Sequence, residues 1–229
     1  MICTIHQPNY LPYLGFFEKA FQSDIFIIYD TTQFKKNDWQ NRNRICTSEG
    51  WQWITIPVLH RFGQKINEVK IDNLKKPLKN NWNKIQTIYG KAPFFKDYGE
   101  IFEKIYKNTY DFVSDLNCDM IYEIKSILGL RTRFVKSSEF PPIETKSTQA
   151  LIDLCKIVEA DTYISGSEGK NYLDLDLFEK AGIELKFQNY RHPVYKQFNN
   201  SEFQPYMSVI DLIFNCGESS LKILNSENS

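Results

Sequence analysis

Residues 2–30 read ICTIHQPNYLPYLGFFEKAFQSDIFIIYD and contain a complete strand–helix–strand pattern. Ile2–His6 is a short β-rich run, Gln7-Pro8-Asn9 breaks it, and an apolar, helix-like stretch follows from Tyr13 to about Gln22. The apolar run from Ile25 to Tyr29 is continuous, as in a strand that is covered on both faces of a sheet. We therefore predict a βαβ unit with a functional loop after its first strand.

The rest of the chain extends this unit into a mainly parallel sheet. Residues 42–58 hold two β-type runs around Ser48-Glu49-Gly50, which predicts a hairpin, and a third run at 68–71 is a candidate extension of it. Apolar residues three or four apart predict up to three helices between 76 and 129. After residue 133, strands alternate with helices, as in parallel sheets with crossovers. The predicted fold class is α/β: a Rossmann-like, mainly parallel sheet with an inserted β-hairpin and a helical middle region.

These elements fit one domain over residues 1–217, because a chain of 229 residues is long enough to bury one sizeable core. The helices at about 76–129 are expected to form a sub-lobe of that domain. The tail, residues 218–229, is rich in Ser and Asn and is predicted to fray.

The composition excludes several classes of protein. The 28 basic and 28 acidic residues cancel, so no overall field favours nucleic acid or an anionic membrane. Five Cys without a CxxC pair indicate reduced thiols rather than a disulfide framework or a zinc site. No apolar window approaches the ~20 residues of a membrane span, and no secretory leader is recognisable. We expect a cytoplasmic protein with no nucleic-acid partner, no membrane partner and no metal site.

Ligands of parallel α/β sheets bind at the carboxyl ends of the strands, and three loops of this chain occupy such positions. The first loop follows the first predicted strand on a path that two prolines constrain. It offers hydrogen-bonding side chains to a ligand, namely His6, Gln7, Asn9, Tyr10 and Tyr13. The alternative is a rigid turn whose polar atoms satisfy one another.

The second loop leads into the predicted hairpin. Arg42 and Arg44 lie on one face if this segment is a strand, and guanidinium groups match phosphate or carboxylate oxygens. Trp39 precedes them and could stack on a base or a sugar. With Gln33 and Asn43, these residues predict a site for a phosphorylated or carboxylate ligand. Surface charges that enter a hairpin are the alternative.

The third loop, Ser165-Gly166-Ser167-Glu168-Gly169-Lys170, follows a predicted strand at 161–165. Its small residues let main-chain N–H groups approach a ligand, and a helix N-terminus behind it would favour phosphate. The spacing is not that of a Walker A loop. This interpretation nominates Ser165, Gly166 and Ser167, and a simple turn is the alternative.

Candidate acid–base groups are few. Histidine occurs at positions 6, 60 and 192, and His6 and His192 stand beside strand ends or prolines. Asp30 ends the second predicted strand. We nominate His6, Asp30 and His192 as catalytic candidates, while histidines in such places are also often structural hydrogen-bonding groups. The sequence Asp174-Leu175-Asp176 is interpreted as a helix cap.

The same segments resemble the WbqC-like family. The strings HQPNYLPYLGFFEKAFQSDIFIIYD (6–30), WQNRNRI (39–45) and WITIPV (53–58) are similar to the family's first half. YISG (163–166), PVY (193–195) and the later Ser208, Asp211 and Asn215 are similar to its second half, so the resemblance spans nearly the whole chain. It implies functional roles for Gln7, Tyr10, Gly15, Arg42, Asn43, Ser165, Gly166 and Asp211.

Members of this family are mostly uncharacterised, and many are encoded in O-antigen or other polysaccharide gene clusters. The resemblance implies a bacterial acyl or aminoacyl transferase, including glycyl transfer, that modifies a nucleotide-linked amino sugar. Arg42 and Arg44 would hold the phosphate, and His6 or Asp30 would accept the amine proton. The partner is then a nucleotide-activated sugar or another phosphorylated small molecule, and the co-substrate is ATP or an acyl or aminoacyl donor.

Two other functions stay open. One is an ATP-dependent adenylating or nucleotidylyl-transfer enzyme. The strand–loop–helix start is similar to the nucleotidylyltransferase fold, but Phe16 follows Gly15 where that fold has a second histidine, so the likeness supports only a Rossmann-like half. The other is a non-catalytic protein that binds a sugar nucleotide. The oligomeric state is also open.

Overall fold

Five parallel strands form the central sheet of the computed structural model, which describes residues 1–200 and 202–226. In chain order, the strands are β1 (Ile2–His6), β2 (Ile25–Ile28), β3 (Arg42–Thr47), β4 (Gly50–Thr55), β5 (Val58–Leu59), β6 (Lys70–Ile71), β7 (Arg133–Lys136), β8 (Thr162–Ser165) and β9 (Glu184–Phe187). The helices are α1 (Leu14–Phe21), α2 (Pro77–Tyr89), α3 (Phe95–Lys107), α4 (Val113–Ile127), α5 (Ser147–Ile157), α6 (Leu175–Ala181), α7 (Val209–Cys216) and α8 (Ser220–Asn225).

The strand order of the central sheet, β7-β2-β1-β8-β9, confirms the predicted Rossmann-like α/β fold. The chain first adds β2 and β7 on one side of β1 and then adds β8 and β9 on the other side. The direction of strand addition therefore reverses at β1. In open α/β sheets this reversal creates a crevice at the carboxyl ends of the two strands concerned, here β1 and β8.

The two faces of the sheet pack into different cores. On β1 and β2, Cys3, Ile5 and Ile27 belong to a core that is completed by α5 and α6. Because side chains alternate along a strand, Phe26 points to the opposite face, where it stacks on Phe134 with ring centroids 4.6 Å apart. Burial on both faces explains why β2 is an unbroken apolar run.

The inserted hairpin is confirmed, but the run at 68–71 does not extend it. β3 pairs antiparallel with β4, from Arg42 opposite Thr55 to Thr47 opposite Gly50. Gly50 has a φ of +116°, which side chains rarely tolerate. Pro57 ends the strand pairing after β4, because proline has no N–H to donate to a neighbouring strand. The run at 68–71 forms β6, which pairs with β5 in a separate two-stranded sheet.

The three helices predicted between 76 and 129 are present as α2, α3 and α4. Their apolar faces share one core with α1, α7 and the face of the sheet that carries Phe26 and Phe134. Phe214 of α7 contacts two rings of α3, Phe95 and Phe102, with centroids 5.0 and 5.4 Å away, and the Tyr89 ring of α2 at 5.4 Å. The middle helices therefore support the face of the sheet that α1 also covers.

The expected fraying of the C-terminal tail is wrong for residues 218–226. A 3-10 turn at Gly217–Ser219 leads into α8, whose Leu224 is fully buried in the core shared with α1. Apolar residues at helical spacing bury one face of α8 even though its composition is polar. Residues 227–229 lie outside the described residues. Across residues 1–200 and 202–226, none of the helices combines the length and apolar character that a membrane crossing needs.

Candidate functional site

A cavity of about 1640 Å³ opens at the carboxyl ends of β1 and β8. All three loops that the sequence nominates contribute to its wall. The nominated residues that line it are His6, Gln7, Asn9, Tyr13, Gln33, Trp39, Asn43, Arg44, Ser165, Gly166 and Ser167. Segments far apart in the sequence thus meet around one space, which is the geometry that a shared ligand site requires.

Buried amides join the first loop to the second. Gln40 Nε2 donates to Gln7 Oε1 at 2.6 Å. From the hairpin, Asn43 Nδ2 donates to two main-chain oxygens, those of Tyr10 at 3.1 Å and Leu11 at 2.7 Å. Since each bond crosses between segments, the two loops form one rigid wall of the cavity.

Gly15 acts on the site through Tyr13 rather than by lining the cavity. A Cβ atom at Gly15 would lie 2.5 Å from the Tyr13 ring, so a larger residue would displace that ring. The Tyr13 ring meets the Tyr190 ring edge to face, with centroids 6.0 Å apart. Two tyrosines therefore present a paired aromatic surface to the cavity.

Arg44 is held by aromatic rings at the cavity wall. Its guanidinium carbon lies 4.6 Å from the centre of the Trp51 ring and 5.4 Å from that of Trp39. Its Nε atom is buried and has no hydrogen-bond partner among the described residues. Cation–π contacts fix the orientation of the guanidinium group and leave donors available for an oxyanion.

Arg42, nominated with Arg44, is not among the residues that line the cavity. Its guanidinium carbon lies 4.2 Å above the Trp53 ring, and its Nη2 donates to the carbonyl oxygen of Asn37. Both arginines lie on the same face of β3, as predicted. Residues i and i+2 of a strand are ~6.8 Å apart, so Arg44 can line the cavity while Arg42 lies beyond its edge.

The Ser165 loop is tight, and no α-helix begins directly after it. A Cβ atom at Gly169 would lie 2.1 Å from Ser165 Oγ, so a larger residue there would displace the Ser165 hydroxyl. Residues Ser167–Asn171 form a five-residue 3-10 helix, which is too short to supply a helix dipole. α6 begins only after Asp174, whose carboxylate accepts from Leu177 N at 3.3 Å and confirms the predicted cap.

His6 lines the cavity as a neutral ring. Its Nδ1 donates to the carbonyl oxygen of Gln7 at 2.9 Å, and its ring contacts Phe16 edge-on at 5.0 Å. Burial, followed by the nearby charge of Lys19, lowers the pKa of His6 to about 3. A group with this pKa is a weak base at pH 7, so His6 is suited to accept a hydrogen bond at Nε2 rather than to take up a proton.

The other two catalytic candidates lie outside the cavity lining and have their polar atoms occupied. Asp30 accepts from Ser137 Oγ at 2.8 Å and from both N and Oγ of Ser138, which ties the end of β2 to the end of β7. His192 Nδ1 donates to Pro193 O at 2.8 Å, and its Nε2 accepts from Tyr206 N at 3.0 Å. These bonds give both residues a role in holding loops.

Tyr10 and Asp211, which the resemblance nominates, are fully buried and do not line the cavity. The Tyr10 hydroxyl is paired with the Tyr106 hydroxyl and accepts from Asn81 Nδ2 at 3.0 Å. Asp211 accepts hydrogen bonds from three side chains of the surrounding core, those of Tyr89, Tyr195 and Gln197. Their positions are explained by packing, because a buried polar group needs its partners.

Several cavity residues were missed in the sequence. Lys19 and Tyr190 line the cavity, as does Gln188, whose Nε2 donates to Gly15 O at 2.8 Å. Residues 140–147, which read FPPIETKS, form another side of the wall. Two sequence signals could have identified some of these residues. One is a lysine inside the apolar helix LGFFEKAF, and the other is a Pro-Pro pair at 141–142, which disfavours a regular helix or strand. Among the described residues, no group of three or more His, Cys, Asp or Glu could hold a metal ion.

These features define the class of protein: an α/β protein with a Rossmann-like sheet and a large cavity at the point where the strand order reverses. The chain belongs to the WbqC-like protein family, whose sequence pattern matches residues 7–223. It is 37% identical over 218 residues to an uncharacterized protein of Mycobacterium tuberculosis, with 93% of each chain covered. No solved structure matches the chain.

Proposed function

We propose that this protein is a transferase that moves an acyl or aminoacyl group, glycyl among them, to the amine of a nucleotide-linked sugar. The modified sugar would serve the synthesis of O-antigen or another surface polysaccharide. The observation that carries the proposal is the placement of the Arg44 guanidinium group, which the rings of Trp39 and Trp51 hold, in the same cavity as the ends of β1 and β8. A diphosphate is the part of a nucleotide sugar that such a group recognises.

The charge of the cavity also favours an anionic ligand. Eight charged side chains line it: Lys19, Lys35, Arg44, Lys65 and Lys146 are basic, and Asp38, Glu144 and Glu168 are acidic. Lys35 and Asp38 form an ion pair at 3.4 Å, and burial lowers the pKa of Lys19 to about 7. Arg44, Lys65 and Lys146, with a partly protonated Lys19, therefore remain against two acidic groups. The local balance is positive although the whole chain has no net charge.

The size of the cavity supports a reaction between two substrates. Pockets for one small ligand occupy ~300–1,000 Å³, whereas this cavity has about 1640 Å³. Aromatic rings at separate places on the wall, Trp39 near Arg44 and Tyr13 near Tyr190, offer flat surfaces for a base and for a sugar. A nucleotide-linked amino sugar and an activated acyl donor therefore have room to lie side by side.

A turnover assay tests this function directly. The purified protein is incubated with UDP- or dTDP-linked amino sugars and with acyl or aminoacyl thioesters, and the sugar nucleotide is weighed by mass spectrometry. We expect a mass gain equal to one acyl group, which depends on the protein. Pyrophosphate release from ATP and a small acid without any sugar would instead identify an adenylating enzyme. Ligand-induced thermal stabilisation without turnover in either assay would identify a binding protein.

A further inference from the structure

Lys19 has an unusual position for a lysine. It lies in the last turn of α1, is 2% exposed and lines the cavity. Its Nζ donates to the main-chain oxygen of Ile5 at 3.3 Å, the one acceptor found for it among the described residues. A protonated amine has three N–H donors, so the charged form leaves buried donors without partners.

No described carboxylate forms an ion pair with that charge. Glu18 precedes Lys19, but its carboxylate accepts from Gln22 and Gln188, and no acidic group of the described residues lies within 4.0 Å of Nζ. The other titratable groups that act on Lys19 are on β1, namely Cys3 and His6. The neutral state of His6 adds no positive charge at pH 7.

Burial therefore determines the protonation state of the Lys19 amine. Desolvation lowers the pKa of Lys19 from 10.5 to about 7, against the smaller opposing effects of Cys3 and Glu18. The C-terminal end of α1 would favour a cation, yet burial outweighs it. The neutral amine is therefore populated near pH 7, on a side chain that lines the cavity.

We propose that Lys19 is the general base of this cavity. The inference rests on the proposed transfer reaction and names the group that accepts its proton. His6 is too weak a base for this task, and Asp30 lies off the cavity with its oxygens occupied. An amine that is neutral near pH 7 matches the requirement that a base operate near its own pKa.

The step balances as follows. The amine nitrogen of the acceptor sugar attacks the carbonyl carbon of an acyl thioester, and a C–N bond forms. The C–S bond breaks, and its electron pair leaves with the sulfur. The proton of the attacking nitrogen passes to Lys19 Nζ and from there to the thiolate, which restores the neutral lysine.

Competitive labelling tests the amine without any knowledge of the substrate. The native chain is treated with trace acetic anhydride between pH 6 and 11, and labelled lysines are quantified by mass spectrometry. We expect Lys19 to react at least tenfold faster than the exposed Lys96 at pH 7, with a half-maximal rate near pH 7. Labelling no faster than Lys96 at pH 7, or a midpoint above pH 9, overturns the proposal.

Turnover of the Lys19→Met variant tests the catalytic role. We expect kcat to fall at least 100-fold while KM for the nucleotide sugar changes less than threefold, and the limb of the pH profile near 7 to disappear. Lys104→Met, the same change in the exposed last turn of α3, is the matched control and should keep full activity. Unchanged kcat in Lys19→Met overturns the proposal.

The two experiments also separate this inference from the function on which it rests. Fast labelling of Lys19 without transfer to any sugar nucleotide means that the proposed function has failed, and the general-base role fails with it. Transfer by a chain whose Lys19 labels slowly means that the function stands and that another group accepts the proton.

Discussion

Two buried polar clusters of this molecule differ in whether their hydrogen bonds are complete. The closed cluster consists of Asp211, Tyr89, Tyr195 and Gln197. Both carboxylate oxygens of Asp211 accept hydrogen bonds of 2.8–2.9 Å from the other three side chains. Burial raises the pKa of Asp211, and these bonds oppose the rise.

The open cluster consists of Lys19, Arg44 and Tyr190. Arg44 Nε and the Tyr190 hydroxyl are buried and have no partner among the described residues, and Lys19 Nζ has one acceptor. All three residues line the cavity, whereas no member of the closed cluster does. Burial alone therefore does not mark a functional site. At the cavity, burial is combined with unfilled hydrogen-bonding capacity, a cost that a bound ligand could offset. Asn41, Asn117 and Asn199 each have a buried oxygen without a partner in the described part of the chain but do not line the cavity.

Breaking the closed cluster should have the largest effect on stability. Asp211→Ala leaves two buried tyrosine hydroxyls without their acceptor and removes one of the two acceptors of Gln197 Nε2, so we expect the free energy of unfolding to fall by about 3–5 kcal/mol. Urea denaturation followed by circular dichroism measures this. The exposed Asp176→Ala is the control, with a change within about 0.5 kcal/mol. A loss below about 1 kcal/mol in Asp211→Ala would remove the structural role.

Replacing Lys19 of the open cluster should stabilise the protein rather than destabilise it. Lys19→Met is expected to raise the free energy of unfolding by about 2–4 kcal/mol at pH 6, since the folded chain no longer holds an amine whose pKa is depressed to about 7.

The pH dependence gives the sign of the Lys19 effect. Between pH 7 and 10.5 the unfolded chain binds the proton that the folded chain lacks, so wild-type stability rises with pH through this window. The advantage of Lys19→Met should therefore be complete below pH 7 and shrink toward pH 10.5. Destabilisation by Lys19→Met at pH 6 would mean that the lysine is a structural group.

His6 should contribute to acid unfolding. Its pKa is depressed to about 3, so between pH 6.5 and 3 the unfolded chain binds a proton that the folded chain does not, and stability falls as the pH drops. His6→Asn keeps a donor for Gln7 O but has no group that titrates there. We expect it to recover about 1–3 kcal/mol at pH 4. Superimposable acid-unfolding curves of the two proteins would contradict this.

The smallest expected change in stability is the difference between removing the Tyr190 hydroxyl and removing the Tyr195 hydroxyl. Tyr190→Phe removes a hydroxyl that has no partner, so stability should change by less than about 0.5 kcal/mol, whereas Tyr195→Phe removes a bond to Asp211 and should cost about 1–2 kcal/mol. Thermal unfolding of both variants supplies the comparison. Equal losses of stability in the two variants would mean that the open and closed clusters do not differ in their contribution to stability.

Much of the fold could be predicted from the sequence because its signals are local. The unbroken apolar run of β2, the helical spacing between 76 and 129 and the cap at Asp174 each depend on a few neighbouring residues. The ends of β1 and β8 could also be nominated, since the rule for parallel sheets needs only the order of the elements.

The partners of individual side chains could not be predicted, because they come from distant parts of the chain. Asp30 is occupied by Ser137 and Ser138, more than a hundred positions later. Lys19 looks like an ordinary surface charge until the face of α1 that covers the sheet is known. Arg42 and Arg44 have identical chemistry, and only the placement of the hairpin distinguishes them.

That last pair offers the most direct measurement of whether the three loops close around an anionic ligand. Calorimetric titration with UDP- and dTDP-linked amino sugars compares the wild-type chain with Arg44→Ala and Arg42→Ala. Losing a charge-assisted bond costs about 1.5–3 kcal/mol, so we expect Kd to rise about 10- to 150-fold in Arg44→Ala and less than about threefold in Arg42→Ala. Equal losses in the two variants, or no binding of either nucleotide sugar to the wild-type chain, would contradict the shared site.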